Sequence, residues 1–374
     1  MIKFWSYIQE YKKNKKKFLS LINKTLLKGN IFFGTEVQNF EKKFLKLYKF
    51  KYGIAVGSGT EALYIALKAL NIAKDDEVLT VSNTAIPTAS AIAATGAKPI
   101  FVDIADNYLI NTKLIKEKIT KKTKAILPVH LYGHPCDMVQ IKKIANKFNL
   151  KIIEDCAQAQ GSTYNKKYVG SFGDLGCFSF YPTKILGAYG DGGFITCKSL
   201  KMYKKLKRIS FYGIDNRNKY YASEEGINSR LDEIQSTILN YKIKKTFLAI
   251  KKRIKLAKIY NNELKNTSLV LPKQIKGCKH VYHLYVVFHP KRDKIIKMLK
   301  KLKIETKINY EFPIHKMKAY SKNICSDCNC LKLTEKYSKG IFSLPLYPEL
   351  KISEINYICK NLKKILINKQ MNIK

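Results

Sequence analysis

Lys184 sits in the stretch FSFYPTKILGAYGDGG, Phe178–Gly193, where an apolar run leads through Pro182 and Thr183 into a glycine cluster. Only five of the chain's 70 basic residues are arginine, so 65 are lysine, and almost all the others lie in polar or amphipathic runs. An amine in a partly desolvated pocket loses proton affinity and becomes a nucleophile toward carbonyl groups. Asp155 comes 29 residues earlier, the second of two acids closing an apolar strand in KIIEDCAQAQG, Lys151–Gly161. A carboxylate at the carboxyl end of a strand can hold a proton on a ring nitrogen through a charge-assisted hydrogen bond. Gln158 follows closely enough to reach the same ligand. GSGTEALYIAL, from Gly57, is a glycine turn entering a helix whose free amides and Thr60 hydroxyl suit a phosphate. Each piece alone also reads as ordinary structure: a solvated lysine, a strand-end acid, a capped helix. Together they describe a pyridoxal-phosphate site, with a Schiff-base lysine, a ring-nitrogen partner and phosphate donors.

Those groups need a scaffold that brings strand ends together. From about residue 53 to 200, strand-like runs (Glu77–Ser82, Pro99–Ile104, Ala125–Leu131, Ile152–Asp155, Phe178–Tyr181, Phe194–Cys197) alternate with helical patterns (Thr60–Leu70, Thr112–Ile119, Asp137–Phe148). Such alternation predicts a mostly parallel sheet with helices on both faces and its ligand at the strands' carboxyl ends. The spacing predicts an amphipathic helix over 1–30 and one long connecting helix over Leu231–Leu264. Beyond Pro272 it predicts a smaller α/β lobe: strands at His280–Phe288 and Glu305–Tyr310, helices at Asp293–Leu302, Leu331–Phe342 and Ser353–Asn368. The expected division is 1–250 for the N-terminal helix and large cofactor lobe, and 251–374 for the small lobe.

Composition bounds the alternatives. A 46% hydrophobic content over 374 residues supports a sizeable core. No apolar run is long enough to span a bilayer, so no membrane partner is expected. The charged N-terminus lacks a signal-peptide core, and the nine scattered cysteines read as reduced thiols of a cytoplasmic protein. The net charge of +42 could mark a nucleic-acid binder. However, the lysines spread over nearly every helical face and arginine is scarce, which fits a lysine-rich composition and no nucleic-acid partner. The field would still attract an anionic substrate. CSDCNC, Cys325–Cys330, contains one CxxC pair without a second nearby, and His280 and His283 make a poor joint ligand pair, so no metal is expected.

The chain resembles the DegT/DnrJ/EryC1/StrS family of sugar aminotransferases. The resemblance rests on GSGTEAL, PIFVDI, PVHLYGHPCDM, EDCAQAQGS, GSFGDLGCFSFYPTKILGAYGDGG and NSRLDEIQSTIL, and it covers nearly the whole chain. It implies the α/β architecture of the aspartate aminotransferase-like fold type I and a homodimer with shared active sites. It also implies pyridoxal 5'-phosphate bound covalently at Lys184, Asp155 on the pyridine nitrogen and Gln158 on the phenolic oxygen. Gly59, Thr60 and Ser179 would hold the phosphate, with Asn228 reaching it from the other subunit. Ala85 occupies the position where many members stack an aromatic on the ring. Tyr181, Arg230, Tyr310 and His315 would face the substrates, Arg230 toward the donor's carboxylate and His315 in the region lining the sugar site. Some relatives carry histidine in place of the lysine and dehydrate their substrates; Lys184 therefore implies transamination.

The substrates implied are glutamate and a nucleotide-linked keto-sugar, for surface polysaccharides such as the O-antigen of lipopolysaccharide or other glycoconjugates. FWSYIQEYKK and VSNTAIPTASAI look like the branch that aminates C3, which points to a dTDP-3-keto-6-deoxyhexose. The alternative is C4 amination of a UDP- or dTDP-4-keto sugar. Rival classes are another pyridoxal-phosphate enzyme and a cationic nucleic-acid-binding protein.

Overall fold

The computed structural model describes residues 1–215, 220–321 and 331–367. Two helices, α1 (Ile8–Leu27) and α2 (Thr35–Tyr48), precede the sheet. The large lobe then alternates β1 (Tyr52–Val56), α3 (Gly59–Ala69), β2 (Glu77–Val81), α4 (Ile86–Ala94), β3 (Lys98–Val102), β4 (Thr123–Ile126), α5 (Met138–Lys147) and β5 (Lys151–Asp155). A small hairpin follows, β6 (Thr163–Tyr164) and β7 (Lys167–Tyr168), then β8 (Leu175–Ser179), β9 (Gly193–Cys197) and α6 (Leu200–Ile209).

Seven strands form one sheet in the order β1-β9-β8-β5-β4-β2-β3. Only β9 runs against its neighbours, pairing antiparallel with both β1 and β8. The pairs β8–β5, β5–β4, β4–β2 and β2–β3 are all parallel, as the sequence predicts. Strand β8 shows how both faces are covered. Its side chains alternate in direction with a period of two. Cys177 joins the core under α3, while Phe178 joins Phe40, Phe44 and Tyr48 of α2 in a separate aromatic core. Every residue of β8 and β9 is buried, as expected for strands sandwiched between helices.

The connector differs from a single helix. It breaks into α7 (Glu233–Lys242), one 3-10 turn and α8 (Thr246–Leu264). After α8 come β10 (Cys278–Lys279), β11 (Tyr285–Phe288), α9 (Arg292–Lys301), α10 (Lys332–Ser338), β12 (Ile341–Leu344) and α11 (Ile352–Ile367). β10 extends the β6–β7 hairpin, so it belongs with the large lobe's edge. β11 and β12 pair antiparallel and pack with α8, α9 and α11 around Tyr260, Tyr285, Phe342 and Ile358. Helix α8 runs through residue 250 without interruption and is shared by both lobes.

Four local expectations change. The strand at His280–Phe288 is only β11, because Tyr282 adopts a left-handed φ of 50° that no strand tolerates. Glu305–Tyr310 makes a single bridge, Lys307 to Ser343. The helix over Leu331–Phe342 stops at Ser338, and the chain enters β12 three residues later. Thr112–Ile119 holds only a 3-10 turn at Lys116–Lys118. There the Asn111 side chain accepts from the Lys113 amide at 3.1 Å, a local bond that competes with helix formation. The final helix ends at Ile367; Asn368 and the CSDCNC segment lie outside the described residues.

Candidate active site

Strand β8 ends at Ser179, five residues before Lys184, so the lysine is set in a tight turn and not on the strand itself. The Lys184 amide donates to the Tyr181 carbonyl at 2.8 Å, and Ala188 donates back to Phe180 at 2.7 Å. Gly187 closes the loop: a Cβ there would lie 2.4 Å from the Pro182 carbonyl oxygen. The turn therefore projects Lys184 from a fixed base. Burial pushes its amine down to about 8, against the opposing pull of the Asp155 charge. The neutral amine is the nucleophile. Covalent capture of pyridoxal phosphate by the apoenzyme should accordingly accelerate as pH rises and level off above about 8. An ordinary lysine would continue to gain toward its usual value of 10.5. Stopped-flow absorbance across this range measures it, and a rate still climbing steeply at the upper end would contradict the assignment.

Asp155 closes β5 and is 5% exposed. Thr88, one turn into α4, donates to Oδ2 at 2.9 Å, and the Ala157 amide donates to Oδ1 at 3.1 Å. Burial pushes the carboxyl up, while these two bonds and the Lys184 charge hold it down. A carboxylate has about four lone-pair sites, so acceptor capacity remains for a ring N–H. Ala85 is the N-cap residue of α4, just ahead of Thr88. Gln158 is fixed at both ends: its Oε1 accepts from the Tyr132 amide at 2.8 Å, and its Nε2 donates to the Tyr310 hydroxyl at 2.9 Å. One amide hydrogen of Gln158 is left for a ligand. Burial pushes Tyr310 up to about 12, so its hydroxyl stays protonated.

The phosphate corner is equally tight. Gly59 starts α3, and a Cβ on it would lie 2.6 Å from Ser179 Cβ. A Cβ on Gly193 would fall 2.3 Å from the Ser58 carbonyl oxygen. The ends of β1 and β8 thus bring Gly59, Thr60 and Ser179 together. Two residues there went unanticipated. Glu61 accepts from its own cap, Ser58, at 3.2 Å and also from Ser229, while Ser229 Oγ accepts from the Gly57 amide at 3.0 Å. The Ser-x-x-Glu spacing of a capping box was a visible signal for Glu61; its bond to Ser229 was not. This bond pins the NSR segment beside the phosphate turn and leaves neighbouring Asn228 exposed.

The substrate-facing candidates separate. Tyr310 joins Gln158, whereas Tyr181 is 51% exposed. The Arg230 guanidinium lies over the rings of Phe32 at 4.7 Å and Phe33 at 5.3 Å, an aromatic seat at the surface. His315 is buried with both ring nitrogens engaged, Nδ1 with Ser82 Oγ at 2.7 Å and Nε2 with Glu335 at 3.1 Å. Its ring anchors the small lobe to the end of β2.

A second polar cluster, His130, Glu154 and Cys156, is close-set and buried. His130 Nδ1 accepts from the Cys136 amide, so Nε2–H donates to Glu154 at 3.0 Å. Burial pushes Glu154 up, but His130 and the amides of Gly173 and Gly170 outweigh it and leave the group below the usual carboxylate range. With both imidazole nitrogens used, the cluster is a closed network holding the loop around Gly170–Gly173.

Lys184, Asp155 and the corner of Gly59, Thr60 and Ser179 fit pyridoxal phosphate in kind and order. Known proteins agree. Residues 12–363 match the model of the DegT/DnrJ/EryC1/StrS aminotransferase family. The chain belongs to that family. It is a sugar-nucleotide aminotransferase dependent on pyridoxal phosphate, with the type I fold. A dTDP-3-amino-3,6-dideoxy-alpha-D-galactopyranose transaminase of Aneurinibacillus thermoaerophilus is 40% identical, covering 97% of this chain and 99% of that protein. A dTDP-3-amino-3,4,6-trideoxy-alpha-D-glucose transaminase of Micromonospora megalomicea subsp. nigra is 39% identical, over 92% of this chain and 94% of the relative. Among solved structures, S. venezuelae DesV in complex with a ketimine intermediate superposes with a TM-score of 0.94 at 31% identity, covering 98% of this chain and 99% of the other. No described helix of this family member is long and apolar enough to cross a membrane.

Proposed function

We propose that the enzyme aminates C3 of a dTDP-linked 3-keto-6-deoxyhexose with glutamate as donor, in the cytoplasm, to supply an amino sugar for surface polysaccharide or other glycoconjugates. The observation that carries this reading is that two relatives near 40% identity, aligned over more than nine-tenths of the chain, are both named for 3-amino dTDP-sugars. Bound pyridoxal phosphate supplies an electron sink that stabilises negative charge at the reacting carbon. Lys184, with its lowered proton affinity, takes the proton from the donor's α-carbon and later delivers one to C3 of the sugar. Asp155 keeps the ring nitrogen protonated, and Thr88 and Ala157 hold the carboxylate in place for that task. Gln158 orients the ring edge, itself held by Tyr132 and Tyr310.

The active enzyme is a homodimer in this reading, with Asn228 completing the partner's phosphate site. Exposure of Asn228 supports it: its backbone pairs with Phe211, whose ring meets exposed Phe33 at 5.3 Å, and a second copy would cover that apolar patch. Moving the reacting carbon between C3 and C4 changes the angle at which the sugar leaves the cofactor. Turnover requires close, oriented approach, so one pocket should favour one carbon. The experiment supplies dTDP-3-keto-6-deoxyhexose and dTDP-4-keto-6-deoxyglucose separately with glutamate and locates the new amine by NMR. Amination at C3 is expected; efficient amination at C4 with none at C3 would replace the proposal with the C4 alternative.

A further inference from the structure

Gln158 belongs to a closed ring of hydrogen bonds that crosses between the lobes. Its Oε1 accepts from the Tyr132 amide at 2.8 Å, and its Nε2 donates to the Tyr310 hydroxyl at 2.9 Å. The Tyr132 hydroxyl in turn donates to the carbonyl of Asn309, the residue before Tyr310. Gln158 follows β5, and Tyr132 lies in the turn between β4 and α5; Asn309 and Tyr310 come from the small-lobe segment between α9 and α10. Tyr132 takes a left-handed φ of 60°, uncommon for a bulky residue. In that conformation its amide and its hydroxyl both serve the ring.

The small-lobe segment is itself clamped on both sides of Tyr310. Before it, Lys307 and Ser343 exchange backbone bonds at 3.3 and 2.7 Å, and Ser343 Oγ donates to Asn309 Oδ1 at 3.1 Å. After it, the Ile314 amide donates to the Ser82 carbonyl at 3.1 Å, and the His315 amide donates to Ser82 Oγ at 3.0 Å. Tyr310 is therefore presented to Gln158 from a fixed base. Burial and the Asp155 charge push its hydroxyl up to about 12 against the bond from Gln158, so it stays a neutral acceptor. A carboxamide is planar and carries two hydrogens. With Oε1 and one hydrogen both engaged, the direction of the second hydrogen is set.

We propose that Tyr310 is a positioning residue: by holding Gln158 from the small lobe, it sets the balance of the proton shared by Lys184 and the phenolic oxygen of the bound cofactor. This rests on the placement of Gln158 at that oxygen in the reading above, and it gives Tyr310 a task apart from facing the substrate. A donor aimed at an oxygen that carries negative charge stabilises the charge. The oxygen then competes less strongly for the proton on the Lys184 nitrogen. A Gln158 held only at Oε1 can turn away, the oxygen holds its charge less well, and the proton is retained to higher pH. The small lobe thereby tunes the cofactor through a large-lobe side chain.

The test follows the visible absorbance of the holoenzyme across pH, without substrate. Tyr310→Phe removes one oxygen and should raise the midpoint of the visible band by about one pH unit, the order of one charge-assisted hydrogen bond. Tyr132→Phe opens the same ring at Asn309 and should shift the midpoint in the same direction. The double variant should move no farther than the larger single shift, because groups in one network do not add. Tyr108→Phe is the control: its ring lies 5.8 Å from that of Tyr132, and its buried hydroxyl has no partner, so the midpoint should stay. Gln158→Ala should raise the midpoint and make Tyr310→Phe silent when the two are combined. A raised midpoint in Gln158→Ala with none in Tyr310→Phe would overturn the proposal, as would additive shifts in the double variant or an equal shift in Tyr108→Phe. An unmoved midpoint in Gln158→Ala would instead remove Gln158 from the phenolic oxygen, and the proposal with it.

Discussion

Lys184→Ala is expected to lower turnover by at least about 10³-fold, the order contributed by a positioned acid–base group, and more if covalent capture of the cofactor matters independently. The fold should survive. Lys184 projects from a turn whose geometry is set by the bonds of Tyr181, Phe180 and Gly187, none of which involves its side chain. Desolvation of the amine opposes its charged form, with the lowered proton affinity as its signature. Removing it relieves that penalty, so the thermal midpoint of the variant should equal or exceed that of the parent. This is the usual trade between an active group and stability. The measurements are a coupled transamination assay and calorimetry on the same preparations. Near-normal activity would remove Lys184 from the mechanism. A large drop in midpoint with lost activity would mean the side chain props up the turn.

The placement of these groups was legible because it is written in local sequence. Lys184 follows a strand and precedes glycines, Asp155 ends a strand, and Gly59 opens a helix; all three sit where α/β sheets present ligands. The supporting groups were harder to see, because each acts across a long span of chain. Thr88 reaches Asp155 over 67 residues, and Gln158 meets Tyr310 over 152. Nothing in a single sequence ties such pairs together. His315 is held in the same way, its ring bonded to Ser82, 233 residues away, and to Glu335.

Fold errors have similar causes. Parallel strands were readable as continuous apolar runs, but helix α2 was not anticipated even though Phe40, Phe44 and Tyr48 form the aromatic core beneath β8. Its apolar positions, Val37, Phe40, Phe44 and Tyr48, recur every three or four residues, a helical spacing that was there to be read. Tyr282 gave no hint of its left-handed backbone, which divides HVYHLYVV in two. There, stacking of the His280 ring on Tyr282 at 3.9 Å and on His134 at 4.9 Å accompanies a conformation that period alone would not choose.

Mixing two crippled variants, Lys184→Ala and Asn228→Ala, is expected to restore activity if the sites are shared between subunits. Each site would take its lysine from one protomer and its Asn228 from the other. In a mixed dimer both defects then fall on one site, and the second site receives two intact residues. Random exchange between equal amounts makes half the dimers mixed, so roughly a quarter of all sites should recover. The monomer's geometry motivates the arrangement. Ser229 is buried and bonded to the Gly57 amide and to Glu61, next to its own phosphate turn. Asn228, one residue earlier, is exposed and pairs only its backbone with Phe211. Adjacent residues of an extended segment point in opposite directions, so a loop that serves its own site with Ser229 offers Asn228 outward. Loss of Asn228 alone should weaken cofactor retention, which dialysis and visible absorbance can measure separately from turnover. Exchange is verified by differently tagged protomers that copurify. Verified exchange with no recovery of activity would assign Asn228 to its own subunit or to no site at all.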